Sequence, residues 1–422
     1  QKDTKGKEYT GTVLEHLLLQ HLTAFWEVGE HNHIRLRNAD WNDALDMAPH
    51  RGESVAFSNA YAGNLIGLAE LIEEQQHRGY EEFQFLQEME ILFTEDMALY
   101  EDPDGKQKLL EEYLGKCMHH VSGNSIRVDA GELADNLRKK GQWMQEHIRR
   151  TEWIEEDEEK GWFNGYYDDH GAALEGIRGG RAHMMLTGQV FSLMNATATK
   201  EQAQKIIRSA EEHLFDASCG GYRLNTDFGE IKTDMGRMFG FAYGEKENGA
   251  VFSHMAVMYA NALYTRGFAR EGYKALQALY RQAMDPAKSR TYPGIPEYFG
   301  HGGRGLYHYL TGAASWYMLT VVTGAFGVRG SYGDLLVEPM LVKEQFSEEG
   351  LATIQLKFRG KTIQLQYVNA DRLDYGEYHL QGVQTGEDIV YIREGDTLRI
   401  PAEQIAEMSE CGVHRIVITL GK

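Results

Sequence analysis

The sequence predicts a mainly α-helical region followed by a smaller β domain, because two kinds of hydrophobic periodicity occupy separate parts of the chain. Up to about residue 328, apolar residues recur three and four positions apart, which is typical of amphipathic helices. After residue 329, apolar and polar residues alternate, as they do in strands with one buried face. We therefore expect a helical region over residues 1–329 and an antiparallel β domain over residues 330–422, with the boundary near Gly330.

Individual elements follow from the same patterns. Segments with helical spacing are separated by Gly-rich and aromatic-rich loops, and the alternating segments are short. Helices are predicted over residues 13–25, 60–71, 83–93, 133–148, 202–214, 251–264 and 313–326, and strands over residues 353–358, 362–367, 389–392, 397–400 and 415–420.

The composition fits a compact globular protein and limits its partners. Of 422 residues, 42% are hydrophobic and 11% aromatic, and the formal net charge is -20 at pH 7. This charge repels nucleic acids and anionic membranes, so we expect neither as a partner. The three cysteines are widely separated and form no zinc-binding pattern, which favours a reducing, cytoplasmic environment. No apolar run approaches the length of a membrane span.

Residues 39–43, Ala-Asp-Trp-Asn-Asp, are the most informative motif in the sequence. An enzyme that cleaves a glycosidic bond needs an aromatic platform for the sugar ring, amides for its hydroxyl groups and a carboxylic acid for the leaving oxygen. Trp41, Asn42 and Asp43 supply one of each. The same pentapeptide also fits a capped turn whose indole is a packing anchor.

Three further segments strengthen the motif when they are read in chain order. Residues 161–169 form an aromatic and acidic turn, residues 247–254 end in a histidine at the start of a predicted helix, and residues 303–312 lead into an apolar helix. Together with residues 39–43 and 52–55, they resemble the inverting phosphorylases of glycoside hydrolase family 94. This family includes cellobiose, cellodextrin, laminaribiose, chitobiose and β-1,2-oligoglucan phosphorylases. The resemblance covers nearly the whole chain.

The resemblance implies an (α/α)6 barrel, followed by a small antiparallel β-sandwich, that cleaves a β-glucoside reversibly with inorganic phosphate. The products would be an α-sugar 1-phosphate and a shortened sugar, so phosphate is a co-substrate and no cofactor is expected. Asp43 matches the family's general acid, and Trp41 matches a sugar-contacting aromatic residue. The family's phosphate-binding positions match His254, Thr311 and Gly312.

The chemistry of the phosphate positions agrees with this role. Thr311 and Gly312 stand directly before a predicted helix, where backbone N–H groups and the helix dipole favour an anion. His254 can donate a hydrogen bond to a phosphate oxygen, and a bound dianion would favour its protonated form. Taken alone, Thr311 and Gly312 also fit a helix cap, and His254 fits a buried core histidine.

Only one carboxylic acid is needed for this reaction, because phosphate is already an anionic nucleophile. Asp43 has to be protonated when it donates to the leaving oxygen, which the apolar wall of Trp41 and the like charge of Asp40 would favour. We expect Asp40 to orient the loop rather than to react, and we place Asp40 and Asn42 among the substrate-binding residues.

Other residues are candidates for the walls of the sugar and phosphate sites. Glu297 lies in a Pro-containing loop, as does an acidic sugar-binding position of the family, and it equally fits a surface charge. Arg304 lies between glycines, where it either assists the anion or stabilises the loop. Tyr166 and Asp168 are candidate wall residues of the sugar site.

No metal site is expected, because the pairs His31 with His33 and His119 with His120 have no carboxylate at a fixed ligand spacing. The amino-terminal β-sandwich and the first barrel helices of the family have no counterpart in the sequence. An incomplete barrel would expose apolar helix faces. We therefore expect an amino-terminal segment or chain to complete the barrel and the substrate site. Homodimers are also common in the family.

The leading interpretation is an enzyme that phosphorolyses a β-linked gluco-oligosaccharide or disaccharide to α-glucose 1-phosphate, with Asp43 as general acid. Two alternatives stay open. An inverting β-glycoside hydrolase would use Asp43 as acid and a second carboxylate, such as Glu297, as base, and would act without phosphate. A non-catalytic carbohydrate-binding fragment would bind sugar without turnover.

Overall fold

The computed structural model describes residues 1–292, 294–308, 312–386 and 389–422. Helices dominate up to residue 325 and strands dominate after residue 327, as the two periodicities predict. The helices are α1 (Val13–Trp26), α2 (Val55–His77), α3 (Met97–Tyr100), α4 (Pro103–Cys117), α5 (Ala130–Thr151), α6 (Leu186–Met194), α7 (Lys200–His213), α8 (Ser253–Thr265), α9 (Ala269–Ala283), α10 (Pro286–Ser289), α11 (Gly312–Leu319) and α12 (Ala402–Glu407).

Most strands before residue 328 are short hairpin strands, and the longer strands follow that residue. The strands are β1 (Ile34–Arg35), β2 (Glu53–Ser54), β3 (Glu82–Leu86), β4 (Ser125–Asp129), β5 (Trp153–Glu155), β6 (Gly161–Phe163), β7 (Tyr166–Tyr167), β8 (Gly176–Arg178), β9 (Arg181–His183), β10 (Phe215–Asp216), β11 (Gly221–Tyr222), β12 (Val251–Phe252), β13 (Tyr298–Phe299), β14 (Gly305–Leu306), β15 (Val328–Ser331), β16 (Asp334–Val337), β17 (Leu351–Phe358), β18 (Lys361–Val368), β19 (His379–Thr385), β20 (Ile392–Glu394), β21 (Thr397–Ile400) and β22 (His414–Gly421).

The chain divides into two compact units. The first consists of residues 1–216 and 222–251, and the second consists of residues 217–221 and 252–422. The change from helices to strands lies inside the second unit, close to Gly330. The domain boundary at Gly330 stays a prediction.

The core of the first unit is built around α1, α2 and α5, whose apolar faces bury Leu, Ile, Ala and aromatic side chains. Helices α2 and α5 approach closely at Gly141, where a Cβ atom would lie 2.8 Å from the Ala62 carbonyl oxygen. The helices begin at polar caps that the sequence supplies: Thr12 accepts from the Glu15 amide before α1, and Ser54 accepts from the Phe57 amide before α2. This packing gives the short strands β1, β2 and β7 a rigid support.

Two lysines are buried among the aromatic side chains of this core. The ammonium groups of Lys106 and Lys140 donate to Asn32 Oδ1 at 2.8 Å and to Thr94 O at 2.9 Å, respectively. Lys106 Nζ lies 4.0 Å from the ring centre of Trp143. Burial lowers the pKa of Lys140 from 10.5 to about 7. The fold therefore keeps an amine in its interior that favours the neutral form more strongly than an exposed lysine does.

The helix predicted over residues 83–93 is wrong. Residues up to Leu86 form β3, which pairs with β4 in an antiparallel hairpin, and Gln87–Phe93 is a 3-10 helix. The alternation of polar and apolar residues at 82–85 has the period of a strand, whereas the helical spacing comes from the residues after Gln87. The strand predicted to begin at residue 389 begins instead at Ile392.

The second unit contains two four-stranded sheets with the orders β15-β16-β21-β20 and β17-β18-β22-β19. The expectation of a purely antiparallel domain is wrong for one pairing, because β18 and β22 are parallel, with Ile363 opposite His414. A parallel pair needs a long crossover connection, and residues 369–413 supply it. Alternating apolar residues of β18 and β22, such as Leu365 and Ile416, are fully buried.

Across the described parts of the chain, no helix combines the length and the apolar character that a bilayer crossing needs.

The lowered pKa of Lys140 makes the stability of the fold depend on pH in a predictable direction. Between about pH 7 and 10 the unfolded chain binds a proton at this amine that the folded chain does not, so stability rises with pH. In Lys140→Met this slope should fall by up to about 1.4 kcal/mol per pH unit. Urea unfolding at a series of pH values measures the slope.

Lys139→Met is the matched control, because this neighbouring lysine is half exposed and pairs with Glu95. Its removal should change the slope between pH 7 and 10 much less than Lys140→Met does, because Lys139 lowers the pKa of Lys140 less than burial does. An equal slope in wild type and Lys140→Met would contradict the buried neutral amine.

Candidate active site

The motif at residues 39–43 lies in the long connection between β1 and β2. These strands pair in antiparallel register, with Ile34 opposite Ser54, and β2 also pairs with β7, where Ser54 lies opposite Tyr166. The connection therefore leaves and rejoins one small three-stranded sheet. Because Ser54 is followed directly by α2, the motif is connected to the helical core within a few residues.

Asp40 is the most strongly bonded carboxylate of the motif. Its Oδ1 accepts from the Asn42 amide at 2.8 Å, and its Oδ2 accepts from the Ser54 hydroxyl at 2.8 Å. Part of the residue reaches solvent, yet protein atoms surround the carboxyl group densely, and this burial raises its pKa to about 6 despite the hydrogen bonds. The buried Tyr166 hydroxyl stabilises the charge from nearby, although the two groups lack standard hydrogen-bond geometry.

Asp43 differs from Asp40, because its side chain is 74% exposed. The nearest cation is the guanidinium of Arg237, whose Nη2 lies 3.4 Å from Asp43 Oδ2. Burial was expected around Asp43, the predicted acid. In the structure, protein atoms instead surround Asp40, and Asp43 is exposed. Asp43 remains open to a substrate, and Trp41 beside it is half-buried.

Two predicted substrate ligands face the interior of the first unit. Asn42 is 1% exposed, and its side-chain amide accepts from the Ala44 amide at 3.2 Å and donates to Met238 Sδ at 3.6 Å. Tyr166 is fully buried. Both residues therefore support the loop from its buried side, and neither lies at a surface that a sugar could reach.

Asp168 likewise stabilises a turn. Its Oδ1 accepts from the amides of His170 and Ala172, at 3.0 and 2.9 Å, and its Oδ2 lies 3.2 Å from Lys232 Nζ. These partners lower the pKa of Asp168 although burial opposes them. The side chain is 3% exposed and leaves no free face for a substrate.

The segment around Gly236 and Arg237 holds the far end of the motif loop, and the sequence analysis missed it. Arg237 donates from its backbone to Asp46 Oδ1 at 3.1 Å and pairs with the same carboxylate through its side chain. The Met238 amide donates to Ala44 O at 3.0 Å. A Cβ atom at Gly236 would lie 2.1 Å from Ala44 O, so only glycine permits this approach.

Glu247 is a second carboxylate close enough to Asp43 to interact with its charge. Burial and the Asp43 carboxylate raise the pKa of Glu247, and Lys246 and Arg237 oppose the increase. In the sequence, the segment that begins at this residue indicated only the position of His254. The electrostatic interaction between residues 43 and 247 depends on the folded loop, so spacing in the sequence gives no sign of it.

The predicted phosphate positions belong to the second unit. His254 is the second residue of α8, and burial lowers the pKa of its imidazole. Gly312 is the first residue of α11, and a Cβ atom there would lie 3.0 to 3.2 Å from the imidazole ring of His254. The structure therefore brings His254 and Gly312 together at two helix starts. Thr311 lies outside the described residues.

Glu297 is held close to the beginning of α8 by its backbone. Its carbonyl oxygen accepts from the Ser253 amide at 2.9 Å, and its amide donates to Tyr307 O at 3.1 Å. The residue is half-buried. Arg304 is exposed in the turn before β14, and its carbonyl oxygen accepts from the Gly300 amide at 2.9 Å. Among the described residues, no group of three or more His, Cys, Asp or Glu side chains is arranged to hold a metal ion.

Gly236→Ala should destabilise the first unit and displace the loop that carries residues 39–43. The new methyl group would clash with backbone atoms, which cannot rotate away as a side chain can. A cost of about 1–3 kcal/mol is expected from overpacking of this kind. Urea unfolding measures it. Gly240→Ala is the control, since a Cβ atom at Gly240 meets no atom within 4 Å. Equal stabilities of the two variants would show that the approach of Gly236 to Ala44 is not tight.

Comparison with known proteins agrees with the resemblance to family 94 phosphorylases. Residues 125–327 match the family model "Glycosyl hydrolase 94 superfamily, catalytic domain". The chain is 23% identical over 379 residues to a solabiose phosphorylase from Paenibacillus borealis, which covers 87% of this chain and 41% of that protein. It is 24% identical to a cellobionic acid phosphorylase from Neurospora crassa, over 65% of this chain and 32% of that protein.

A third relative, the N,N'-diacetylchitobiose phosphorylase of Vibrio proteolyticus, is 28% identical over 52% of this chain and 28% of its own length. The chain thus spans less than half the length of each of these curated relatives. The chain is therefore similar to the phosphorylases of glycoside hydrolase family 94 and corresponds to part of these relatives.

Proposed function

We propose that this chain takes part in the inverting phosphorolysis of a β-linked gluco-oligosaccharide or disaccharide. Inorganic phosphate attacks the anomeric carbon as the glycosidic bond breaks, and Asp43 gives its proton to the leaving oxygen. The products are an α-sugar 1-phosphate, such as α-glucose 1-phosphate, and a shortened sugar. The observation that carries this proposal is the exposed Asp43 on a loop whose neighbouring polar groups are bonded within the protein. The match to a glycosyl hydrolase 94 catalytic domain supports the same reaction class.

The acid has to be neutral before it can donate a proton. A sugar that covers Asp43 removes water from its carboxyl group, which disfavours the charged form. Glu247 is close enough to Asp43 for the two charges to interact, and Arg237 Nη2 lies 3.4 Å from Asp43 Oδ2. Because Arg237 is also bonded to Asp46, its charge is shared between two carboxylates.

The phosphate side of the proposal rests on His254 and Gly312. The start of α11 offers backbone N–H groups and the positive end of a helix dipole to an anion. Burial disfavours the charged imidazole of His254 in the free protein, so a bound phosphate dianion would favour proton uptake at that ring. Thr311 belongs to this proposal through the resemblance alone. Arg304 and Glu297 are proposed to assist the anion and to bind a sugar hydroxyl group, respectively.

The family resemblance also supports finer points of architecture and location. We propose that the helices over residues 1–329 contribute to an (α/α)6 barrel and that the strands over residues 330–422 form a β-sandwich. A cytoplasmic location agrees with three cysteines that form no disulfide bond. We propose no metal and no cofactor for the reaction, since phosphate itself is the nucleophile. Homodimer formation is proposed on the resemblance alone.

Asp43→Asn should lower the phosphate-dependent release of sugar 1-phosphate by about 100-fold or more, because the amide cannot donate the proton that the leaving oxygen needs. The assay uses a panel of β-linked disaccharides and oligoglucans with and without inorganic phosphate. Asp227→Asn is the control, because this exposed aspartate lies outside the motif and caps a turn through the Gly229 amide.

The other outcomes of this assay distinguish the two alternative functions from the proposed one. Release of free sugar without phosphate would support the hydrolase alternative, in which a second carboxylate activates water. Sugar binding without turnover at saturating phosphate would support the non-catalytic alternative. Full activity of Asp43→Asn would contradict the role of this residue as the acid.

We also propose that an amino-terminal segment or chain covers the exposed face of α11. Residues 312–327 carry no charged side chain, and helices that are apolar on all sides are normally buried. Nevertheless, Met318 and Leu319 are 63% and 46% exposed. An apolar surface of this kind supports a binding face more than a solvent face.

Isolated chain should therefore bind the dye ANS and self-associate at micromolar concentration, and Leu319→Lys should reduce both effects. Fluorescence titration and sedimentation equilibrium measure them. Val413→Lys is the control, since Val413 is 45% exposed in the same unit but lies outside this helix. A monomeric chain that binds no ANS would contradict the covered face.

A further inference from the structure

Asp40 joins three parts of the first unit through one carboxylate. Its Oδ1 accepts from the Asn42 amide within the motif turn, and its Oδ2 accepts from the Ser54 hydroxyl at the start of α2. The third neighbour is the Tyr166 hydroxyl of β7, which lies close and stabilises the charge. Asp43 follows Asn42 directly, so the position of the exposed acid depends on how this turn is held.

The hydrogen-bond pattern specifies a carboxylate at residue 40. The Ser54 oxygen accepts from the Phe57 amide at 2.9 Å, so the single hydroxyl proton of Ser54 is committed to Asp40. The backbone amide of Asn42 likewise donates a proton to Asp40 Oδ1. Both oxygens of residue 40 therefore have to accept, which a carboxylate does and an asparagine side chain, with one acceptor and one donor, does not.

Keeping this group charged costs stability at neutral pH. The pKa of Asp40 is about 6 in the folded protein and 3.8 in the reference state, so the folded chain binds the proton more tightly. The corresponding stabilisation is fully present below about pH 3.8 and is lost as the pH rises through about 6. A charge retained against this cost indicates a role other than stability.

The groups that surround Asp40 do not offset the free-energy cost of keeping its carboxylate charged. From its own loop it receives the Asn42 amide, from the start of α2 the Ser54 hydroxyl, and from β7 the Tyr166 hydroxyl. Behind Tyr166 lies Glu175, a fully surrounded carboxyl group whose pKa burial raises well above its usual range. The groups that act most strongly on Asp40 are thus neutral donors, and none of them is a cation.

We propose that Asp40 is a positioning residue, whose two accepting oxygens fix the turn that presents Asp43 to the leaving oxygen. This inference rests on the proposed phosphorolysis for its effect on turnover, but the anchoring itself is independent of the reaction. Asp40 does not touch the reacting atoms in this account. It acts through the Asn42 amide and the Ser54 hydroxyl.

Asp40→Asn tests the proposal, because the side chain keeps its shape and loses one acceptor. We expect kcat to fall by about 10- to 100-fold, as for a misplaced catalytic group, while KM for phosphate changes less than about twofold. The pH profile of kcat should lose its limb near pH 6. Amide exchange of Asn42 should become faster, and the thermal stability at pH 8 should be no lower than in wild type.

Asp157→Asn is the matched control. Asp157 also accepts two hydrogen bonds in a turn, here from the backbone amides of Glu159 at 2.8 Å and Lys160 at 2.9 Å, but it is exposed and distant in sequence from the motif. The Asp157→Asn substitution should leave kcat and the hydrogen exchange of the Asn42 backbone amide unchanged.

The anchoring and the proposed function fail in distinguishable ways. If wild type releases no sugar 1-phosphate, the proposed function fails, and amide exchange with the pH dependence of thermal stability still decides the anchoring. Unchanged Asn42 exchange in Asp40→Asn, or a kcat within about twofold of an active wild type, would overturn the proposal. A large loss of stability at pH 8 would overturn it as well, because it would show a merely structural role.

Discussion

The position of Asp43 depends on Ser54, because this residue joins three elements through different groups. Its backbone lies in β2, opposite Ile34 of β1 and Tyr166 of β7. Its hydroxyl oxygen accepts from the first turn of α2, and its hydroxyl proton is donated to Asp40. The loop cannot shift without breaking one of these bonds, and each buried group left without a partner costs about 1–3 kcal/mol. The exposed acid is therefore presented by a loop that the helical core holds in place.

The carboxylates in and beside the motif at residues 39–43 have different roles because their surroundings differ. Asp40 is surrounded by protein and accepts hydrogen bonds, Asp46 pairs with Arg237, and Asp43 is left exposed to a ligand. In the other unit, burial disfavours the charged imidazole of His254 beside Gly312. In the proposed phosphate site, a chain with a net charge of -20 would attract an anion through local dipoles and the His254 ring, without a cluster of lysines.

Sequence patterns predicted the elements whose periodicity is long and unmixed. The helices around α2 and α8 could be located in this way. The motif at residues 39–43 was found from its residue types, and the comparisons support the resemblance to family 94 phosphorylases. The segment 83–93 failed because a strand and a 3-10 helix share it, and the parallel pairing of β18 with β22 failed because strand order is not encoded locally. Burial was the hardest property to predict. The protein surrounds Asp40 and not Asp43, through contacts with residues far away in the sequence.

The anomeric configuration of the first product tests the central claim most directly. A single displacement by phosphate, with Asp43 protonating the leaving oxygen, inverts the anomeric carbon of a β-linked substrate. Proton and phosphorus NMR, recorded within the first turnovers, should therefore show an α-sugar 1-phosphate that forms only when phosphate is present. A β-sugar 1-phosphate as first product, or free sugar at the same rate without phosphate, would contradict this mechanism.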